Sequence, residues 1–294
     1  MLNTNVEPIL SGLKSVYDDI TILPLENALS WEIALSHVKN YPPDVILYNS
    51  VITGPACPSI DTFKHLKESA PLIHICFDAS CYDWHPVLEK YQEEECFSFI
   101  VNIDGNTNWP HTSKDLTLLA PIDPKGFKQV TYKEYSERPI HFGFCGGNGS
   151  QQRREIIDAL KEKEILTVRQ REENLGSYQG YIDFLNSCKL ILNMAQSGSG
   201  KSLQVKARVL EAGLAGCCLL EEKGSATSKW FTAGKDYIEY EDMSELKMWI
   251  NYLKDQPFTA WNKAINLNHK VKEDHNPKMF WKKVLGSINK NEYI

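Results

Sequence analysis

Short apolar runs alternate with amphipathic stretches along most of this chain of 294 residues. In the first half, the apolar runs at 44–50, 71–77 and 96–103 have the length of buried strands. Helical spacing occupies the segments between them, at 60–69 and 85–95. Strands that alternate with helices in this way predict βαβ units and a parallel sheet.

A second block with the same alternation follows residue 138. Its predicted elements, in chain order, are strand 139–145, helix 151–163, strand 165–169, helix 178–187, strand 189–194, helix 205–214 and strand 216–220. The polar segment 126–138 has no clear periodicity and is predicted to be a linker. We therefore expect an α/β protein with two Rossmann-like domains, 1–125 and 139–270, facing a cleft where ligands commonly bind.

The secondary-structure patterns before the first block and after the second are weaker than those within the blocks. Residues 5–19 are predicted as a helix and 20–25 as the strand that opens the first sheet. After the second block, Asp242 and Glu245 resemble a capping box, which predicts the start of a helix carrying Leu246.

Composition and charge narrow the class of protein. Hydrophobic residues make up 42% and charged residues 24%, which indicates a folded chain rather than a disordered one. The chain has no apolar stretch of the roughly 20 residues needed to span a membrane, and residues 1–8 do not resemble a signal peptide, so we expect a cytoplasmic protein. The net charge of -6 disfavours nucleic acid as a partner without excluding it. Eight cysteines without a C-x-x-C pair predict reduced thiols.

The segment 195–202, AQSGSGKS, is a glycine-rich loop between a predicted strand and a predicted helix. It nearly matches the phosphate-binding P-loop, with alanine at the first glycine position. Gly198, Lys201 and Ser202 are the candidate phosphate ligands, because glycine lets backbone amides approach a phosphate and lysine adds a positive charge. An ATP hydrolase or kinase also needs an acidic magnesium ligand, for which the Glu221–Glu222 pair is a poor substitute. We favour a diphosphate-binding loop and keep the ATP-dependent enzyme and a purely structural loop as alternatives.

Two further groups of residues are candidates for anion binding. Gly146 and Gly147 form a second strand-to-helix junction, and Arg153 follows in the first helical turn, where a cation opposes the helix dipole. The alternative is a simple turn beside a solvated arginine. Arg208 and Glu211 stand three residues apart on one helix face, suited to a phosphate and to ribose hydroxyls, respectively. The alternative for this pair is a salt bridge on the helix surface.

From residue 181 to about 253, the chain resembles the C-terminal domain of GT-B glycosyltransferases, most of all the spore-maturation-type branch. The likeness is carried by FLNSCKLILN at 184–193, RVLEAGLAGCCLL at 208–220 and FTAGKDY at 231–237. The family pattern is a strand ending in Leu-Asn, a variable loop, Arg-x-x-Glu-Ala-x-x-x-Gly, a buried strand and Phe-x-x-Gly-x-(Asp/Glu). These parts occur here in that order.

The resemblance implies that the second domain binds a nucleoside-diphosphate sugar. It implies that Glu211 holds the ribose, and that the loops around Gly146 and at 198–202 face the diphosphate. It also implies that Arg208, aided by Lys201 or Arg153, neutralises the leaving nucleotide. These cations would take the place of the metal used by other glycosyltransferase folds, so no metal and no other cofactor is expected.

The resemblance also implies transfer of the sugar to a hydroxyl acceptor, with retention of configuration favoured over inversion. A final helix within 271–294 is expected to cross back to the first domain. Related retaining enzymes often carry Glu-x7-Glu ending at the position of Glu211, whereas Leu203 stands here at the first of these positions. A nucleotide-binding module without catalytic activity therefore stays open as an alternative. The sequence predicts neither the acceptor nor the oligomeric state.

The first domain offers one candidate catalytic group. Asp78 follows a predicted strand, and the carboxyl ends of parallel strands face the ligand crevice. It is a candidate for orienting or deprotonating an acceptor hydroxyl, with His85 a weaker candidate, and the alternative is that Asp78 caps the next segment. His74, within the strand, is interpreted as a core histidine. A metal site formed by Cys76, Cys81 and His85 is disfavoured because no fourth ligand is evident.

Overall fold

A computed structural model describes residues 6–23, 28–49, 57–128, 131–146, 151–163, 165–169, 177–196 and 202–288. The chain divides into two compact units. The first sheet lies in the unit formed by 13–120 and 277–294, and the second sheet in the unit formed by 1–12 and 121–276. We call them the first-sheet unit and the second-sheet unit, and we describe each by itself.

The secondary structure alternates as the sequence predicts. The helices are α1 (Val6–Lys14), α2 (Ala28–Asn40), α3 (Ile60–Ser69), α4 (His85–Glu93), α5 (Tyr132–Ser136), α6 (Gln151–Lys161), α7 (Tyr178–Ser187), α8 (Ala207–Ala215), α9 (Met243–Asp255), α10 (Pro257–Asp274) and α11 (Pro277–Gly286). The strands are β1 (Ile46–Asn49), β2 (Leu72–Cys76), β3 (Phe99–Asn102), β4 (Leu116–Thr117), β5 (Ile140–Cys145), β6 (Thr167–Arg169), β7 (Cys188–Leu192), β8 (Cys218–Glu222) and β9 (Ile238–Tyr240). The α/β fold class is confirmed.

Two predicted segments differ in detail from the structure. The strand predicted at 20–25 is wrong over its described part, because residues 20–23 form no strand. Ile22 in this segment is 48% exposed, so the run has no buried face on which a sheet could form. The predicted linker at 126–138 contains α5, which begins with a complete capping box between Thr131 and Glu134. None of the described helices has both the length and the apolar character that a membrane crossing needs.

The first sheet is parallel, with strand order β1-β2-β3-β4. Its central strand β2 is buried at every position, as expected for a parallel sheet covered on both faces. His74 lies in this strand among aromatic rings, with its ring centroid 4.9 Å from that of Phe97 and 5.1 Å from that of Tyr48. Neither ring nitrogen has a hydrogen-bond partner among the described residues, and burial lowers the pKa of His74 to about 3. His74 is therefore a neutral core residue in the native state.

Replacing His74 with phenylalanine is expected to make the protein less sensitive to acid. The unfolded chain takes up a proton on this histidine below about pH 6.5, whereas the native state resists it, so native stability falls as the pH falls below that value. By linkage, His74 alone accounts for a loss of about 2 kcal/mol between pH 7 and pH 5. Urea denaturation at both pH values measures this difference for the wild type and for His74→Phe. The exposed His65→Gln is the control, and a His74→Phe variant with the pH dependence of the wild type would contradict the expectation.

The second sheet is also parallel and has strand order β6-β5-β7-β8-β9. The chain moves outward from β5 to β6, then returns to the other side of β5 to add β7, β8 and β9. This reversal makes the carboxyl ends of β5 and β7 the topological switch point, where open α/β sheets bind their ligands. Helix α8 leads from that edge to Gly216, which caps the helix in the left-handed conformation with φ 64°.

Candidate functional site

The switch point of the second sheet brings together parts of the chain that are far apart in sequence. Gly146 directly follows β5, Asn193 directly follows β7, and Arg208 lies in the first turn of α8. Two of the predicted site residues, Gly146 and Arg208, thus lie next to each other. Gly147, Gly198 and Lys201, also predicted, lie outside the described residues.

Arg208 is held on several sides. Its Nη1 donates to Asn193 Oδ1 at 2.9 Å, and its guanidinium lies over the Phe144 ring at 4.9 Å from the centroid. A Cβ atom added to Gly146 would come within 2.6 Å of Arg208 Nη2, so only glycine leaves room for the guanidinium here. Arg208 Nε is buried and has no hydrogen-bond partner among the described residues. The cation is therefore fixed in place with donor capacity in reserve.

Asn193 connects Arg208 to a buried carboxyl group. Asn193 and Glu221 are both fully buried, and Asn193 Nδ2 donates to Glu221 Oε2 at 2.7 Å. Burial raises the pKa of Glu221 to about 8, against the opposing effects of the Asn193 amide and the Arg208 cation. The sequence motif included Asn193, but neither residue was predicted to act in the site. The available signal was their position at the carboxyl ends of neighbouring strands.

Arg153, predicted as a donor ligand, lies on α6 at the same edge of the sheet. Its Nη2 donates to the backbone oxygen of Gln196 at 3.1 Å, which ties α6 to the segment after β7. Burial lowers the pKa of Arg153, and the nearby positive charge of Arg208 lowers it further, while Glu222 opposes the shift. Two arginine cations therefore lie close together in a partly desolvated place, and an anion bound there would relieve their repulsion.

The glycine-rich loop 197–201 begins and ends at paired residues. Gln196 and Leu203 form an antiparallel bridge, and Gln204 N donates to the backbone oxygen of Ala195 at 2.8 Å. Ser202, a predicted ligand, is buried at the end of this loop. The described residues on either side of 197–201 are thus paired with each other after β7, and 197–201 lie outside the described residues.

Glu211 lies one turn after Arg208 on α8 and is only 5% exposed. Its Oε1 accepts from the Tyr178 hydroxyl at 3.1 Å, and its Oε2 accepts from the Tyr181 hydroxyl at 2.7 Å. Burial, followed by the charge of Glu211, raises the pKa of Tyr181 well above its usual range, so this phenol stays a donor. The two tyrosines of α7 orient the carboxylate, a role that the sequence analysis did not assign to them.

The candidate acceptor residues lie in the first-sheet unit. Asp78 is exposed just after β2, and its backbone oxygen accepts from Cys81 N at 2.9 Å. The His85 ring lies 5.0 Å from the Tyr82 ring, and its Nε2 is buried without a hydrogen-bond partner among the described residues. Asp104, which the sequence analysis missed, is buried beside this loop and accepts from both the backbone N and the Oγ of Ser80. Within the described part of the chain, no three His, Cys, Asp or Glu side chains form a group able to hold a metal ion.

Comparisons with known proteins show a family likeness of the second half of the chain and a likeness in fold. Residues 150–286 match the family model described as glycosyl transferase-like, a segment that contains Arg153, Arg208 and Glu211. The structure also resembles HepE from Anabaena in complex with UDP and glucose, with a TM-score of 0.63 and 10% sequence identity over 90% of this chain and 82% of that one. The chain has the GT-B fold, and its segment 150–286 resembles the glycosyl transferase-like family.

Other solved structures resemble this one at low sequence identity. Sucrose-phosphate synthase from Thermosynechococcus elongatus gives a TM-score of 0.61 at 10% identity, over 90% of this chain and 77% of that one. An α-glucosyltransferase in complex with UDP-glucose and DNA containing an abasic site gives 0.57 at 15% identity, over 88% and 83% of the two chains. No curated protein matches this chain by sequence. The likeness to the spore-maturation-type branch stays a prediction.

Proposed function

We propose that this protein is a glycosyltransferase that moves a sugar from a nucleoside-diphosphate sugar to a hydroxyl acceptor, with the donor diphosphate bound at the switch point of the second sheet. The observation that supports this most is the fixed guanidinium of Arg208. It lies against Gly146, keeps a buried Nε without a partner among the described residues, and has a second cation, Arg153, nearby. A diphosphate offers acceptor oxygens to the buried Nε and negative charge to the two cations.

In the proposed reaction, the bond between the anomeric carbon and the β-phosphate oxygen breaks, and the oxygen keeps the electron pair. Negative charge therefore grows on the leaving diphosphate as the transition state is reached. A preorganised arginine stabilises this charge without needing to rearrange, so Arg208 and Arg153 take the role that a metal has elsewhere. Retention of configuration is proposed from the family resemblance. Leu203 in place of the first glutamate argues that the chain does not follow the Glu-x7-Glu arrangement of related retaining enzymes.

Glu211 is proposed to bind the ribose. A carboxylate has about four lone-pair positions, so its two oxygens retain acceptor capacity after each has accepted a tyrosine hydroxyl. On the acceptor side, Asp78 is proposed to orient or deprotonate the hydroxyl, supported by its exposure after β2. Gly147, Gly198, Lys201 and Ser202 are proposed to complete the diphosphate site.

UDP is the nucleotide proposed for the donor, because HepE and the α-glucosyltransferase were each solved with UDP or UDP-glucose. The two candidate functions predict opposite metal dependence: the ATP-dependent enzyme needs magnesium, whereas the proposed glycosyltransferase does not. Stabilisation of the protein by UDP in the presence of EDTA supports the glycosyltransferase. Turnover of ATP that requires magnesium supports the alternative.

Gly146→Ala is expected to weaken UDP binding while leaving the fold stable. The new Cβ would lie 2.6 Å from Arg208 Nη2 and 3.1 Å from Phe144 Cζ, so the end of a flexible side chain must move. Displacing the guanidinium removes a charge-assisted contact with the phosphate, and we expect about a tenfold rise in the Kd for UDP. Isothermal titration calorimetry measures the Kd, and thermal unfolding without ligand measures the stability.

Gly286→Ala is the matched control for this substitution, since nothing lies within 4 Å of a Cβ atom at that position. It is expected to bind UDP like the wild type. A Gly146→Ala variant that binds UDP with unchanged affinity would show that Arg208 does not contact the nucleotide from its present position.

A further inference from the structure

We propose that Glu221 is a positioning residue, which acts through Asn193 to hold the guanidinium of Arg208 toward the diphosphate. This inference rests on the proposed function, because it assigns Glu221 a role only if Arg208 binds the donor. Glu221 lies on β8, two strands away from β5, and is fully buried. Because its side chain is not open to a bound donor, it acts on the donor through another residue.

Two hydrogen bonds connect Glu221 to Arg208 through Asn193, and each has a defined donor and acceptor. Asn193 Nδ2 donates to Glu221 Oε2 at 2.7 Å, and Asn193 Oδ1 accepts from Arg208 Nη1 at 2.9 Å. A side-chain amide has a donor end and an acceptor end, so an acceptor on one side determines which end faces the other side. A guanidinium offers only donors, and it needs the amide oxygen. Glu221 therefore selects the amide orientation that Arg208 requires.

Removal of the carboxyl group would remove this selection. With an apolar residue at 221, Asn193 Nδ2 loses the acceptor that it has among the described residues, Glu221 Oε2. The amide is then able to turn its N–H groups toward Arg208, where they meet N–H donors. The guanidinium would lose its fixed position, although every group that contacts the nucleotide is still present.

The burial of Glu221 indicates that the residue is there for more than packing. The Glu221 carboxyl group is fully buried, with the Asn193 amide and the Thr227 hydroxyl favouring its charged form, and burial of a carboxyl group lowers stability relative to an apolar side chain. Burial raises the pKa of Glu221 to about 8, and in either protonation state an oxygen without a proton is able to accept from Asn193. A glutamine, which is neutral and offers the same oxygen, is therefore the conservative replacement, and leucine is the replacement that removes the acceptor.

A double-mutant cycle on the full-length protein tests this role, with UDP as the probe and calorimetry as the readout. Glu221→Leu is expected to raise the Kd for UDP about five- to tenfold, while Glu221→Gln stays within about twofold of the wild type. In an Arg208→Ala background, Glu221→Leu is expected to change the Kd by less than about twofold, because the residue through which it acts is gone. A residue that only stabilises the fold would not show this dependence on Arg208.

Asn193→Leu provides a second route if Glu221→Leu does not fold. Asn193→Leu removes the residue that links Glu221 to Arg208. We expect it to raise the Kd for UDP by the same factor as Glu221→Leu, and to leave the Kd unchanged within about twofold in the Arg208→Ala background. The positioning role would be overturned if the fold-increases in Kd multiply in the double variants, or if Glu221→Leu and Glu221→Gln raise the Kd equally. Neither result would overturn the proposed function. A wild-type protein that does not bind UDP would overturn the proposed function and this role together.

Discussion

Replacing Arg208 with alanine is expected to lower kcat for the release of UDP from UDP-glucose by about 10²–10³-fold, with a smaller rise in KM. The guanidinium is already in place before the reaction, held by Asn193 and by the Phe144 ring. Its interaction with the diphosphate strengthens as charge develops on the leaving oxygen, so its loss affects the transition state more than the bound donor. Steady-state kinetics with UDP-glucose and water as the acceptor measures both constants.

Two variants control for the Arg208→Ala result. Arg208→Lys keeps the positive charge but cannot reproduce the planar contacts with Asn193 and Phe144, so it is expected to restore only part of kcat. Arg154→Ala, at an exposed arginine next to Arg153 on α6, is expected to leave both constants unchanged. A rise in KM with kcat unchanged would show that Arg208 binds the donor uniformly and does not act on the transition state.

Arg138→Met is expected to lower the free energy of unfolding by about 3–5 kcal/mol, the largest stability effect that we predict. Arg138 is only 7% exposed, and Nη1 donates to the backbone oxygens of Cys188 at 2.6 Å and Gly216 at 3.1 Å. Its Nη2 donates to the Ala215 oxygen at 2.5 Å. These oxygens belong to the start of β7 and the end of α8, where a cation also favours the helix dipole. Methionine fills much of the volume but leaves the buried oxygens without these donors.

Urea denaturation followed by far-ultraviolet circular dichroism measures the effect of Arg138→Met. Arg154→Met makes the same chemical change at an exposed position, and it is expected to alter the free energy of unfolding by less than about 0.5 kcal/mol. A similarly small effect of Arg138→Met would contradict the view that the buried backbone oxygens at the start of β7 and the end of α8 depend on the Arg138 guanidinium.

The periodicity of the sequence predicts most of the strands and helices of the two sheets, because each buries either all of its positions or one face. Strand β2 is buried at every position, and helix α3 places Phe63 and Leu66 in the core, so both patterns are strong. Helix α2 was missed, although its buried Trp31, Ala34 and Val38 have helical spacing. The strand predicted at 20–25 is wrong over its described part for the opposite reason, since Ile20, Ile22 and Leu23 are not buried.

The candidate site is only partly readable from the sequence. Gly146, Arg153 and Arg208 were selected because glycine-rich junctions and arginines near helix starts suit phosphates. The partners that fix Arg208 come from other strands, so no local pattern connects Asn193 or Glu221 with it. The tyrosines that hold Glu211 lie on α7, about thirty positions earlier in the chain. Predicting tertiary contacts of this kind requires the order of the strands in the sheet. The sequence predicts that the sheet is parallel but does not predict that order.

The most direct test of the central claim is a calorimetric comparison of UDP, UMP and uridine in buffer containing EDTA. If Arg208 binds the β-phosphate, the wild-type protein binds UDP at least about tenfold more tightly than UMP, and Arg208→Ala removes most of that difference. Equal affinities of the wild type for UDP and UMP, or a difference that survives in Arg208→Ala, would contradict the claim that the switch point of the second sheet binds the donor diphosphate.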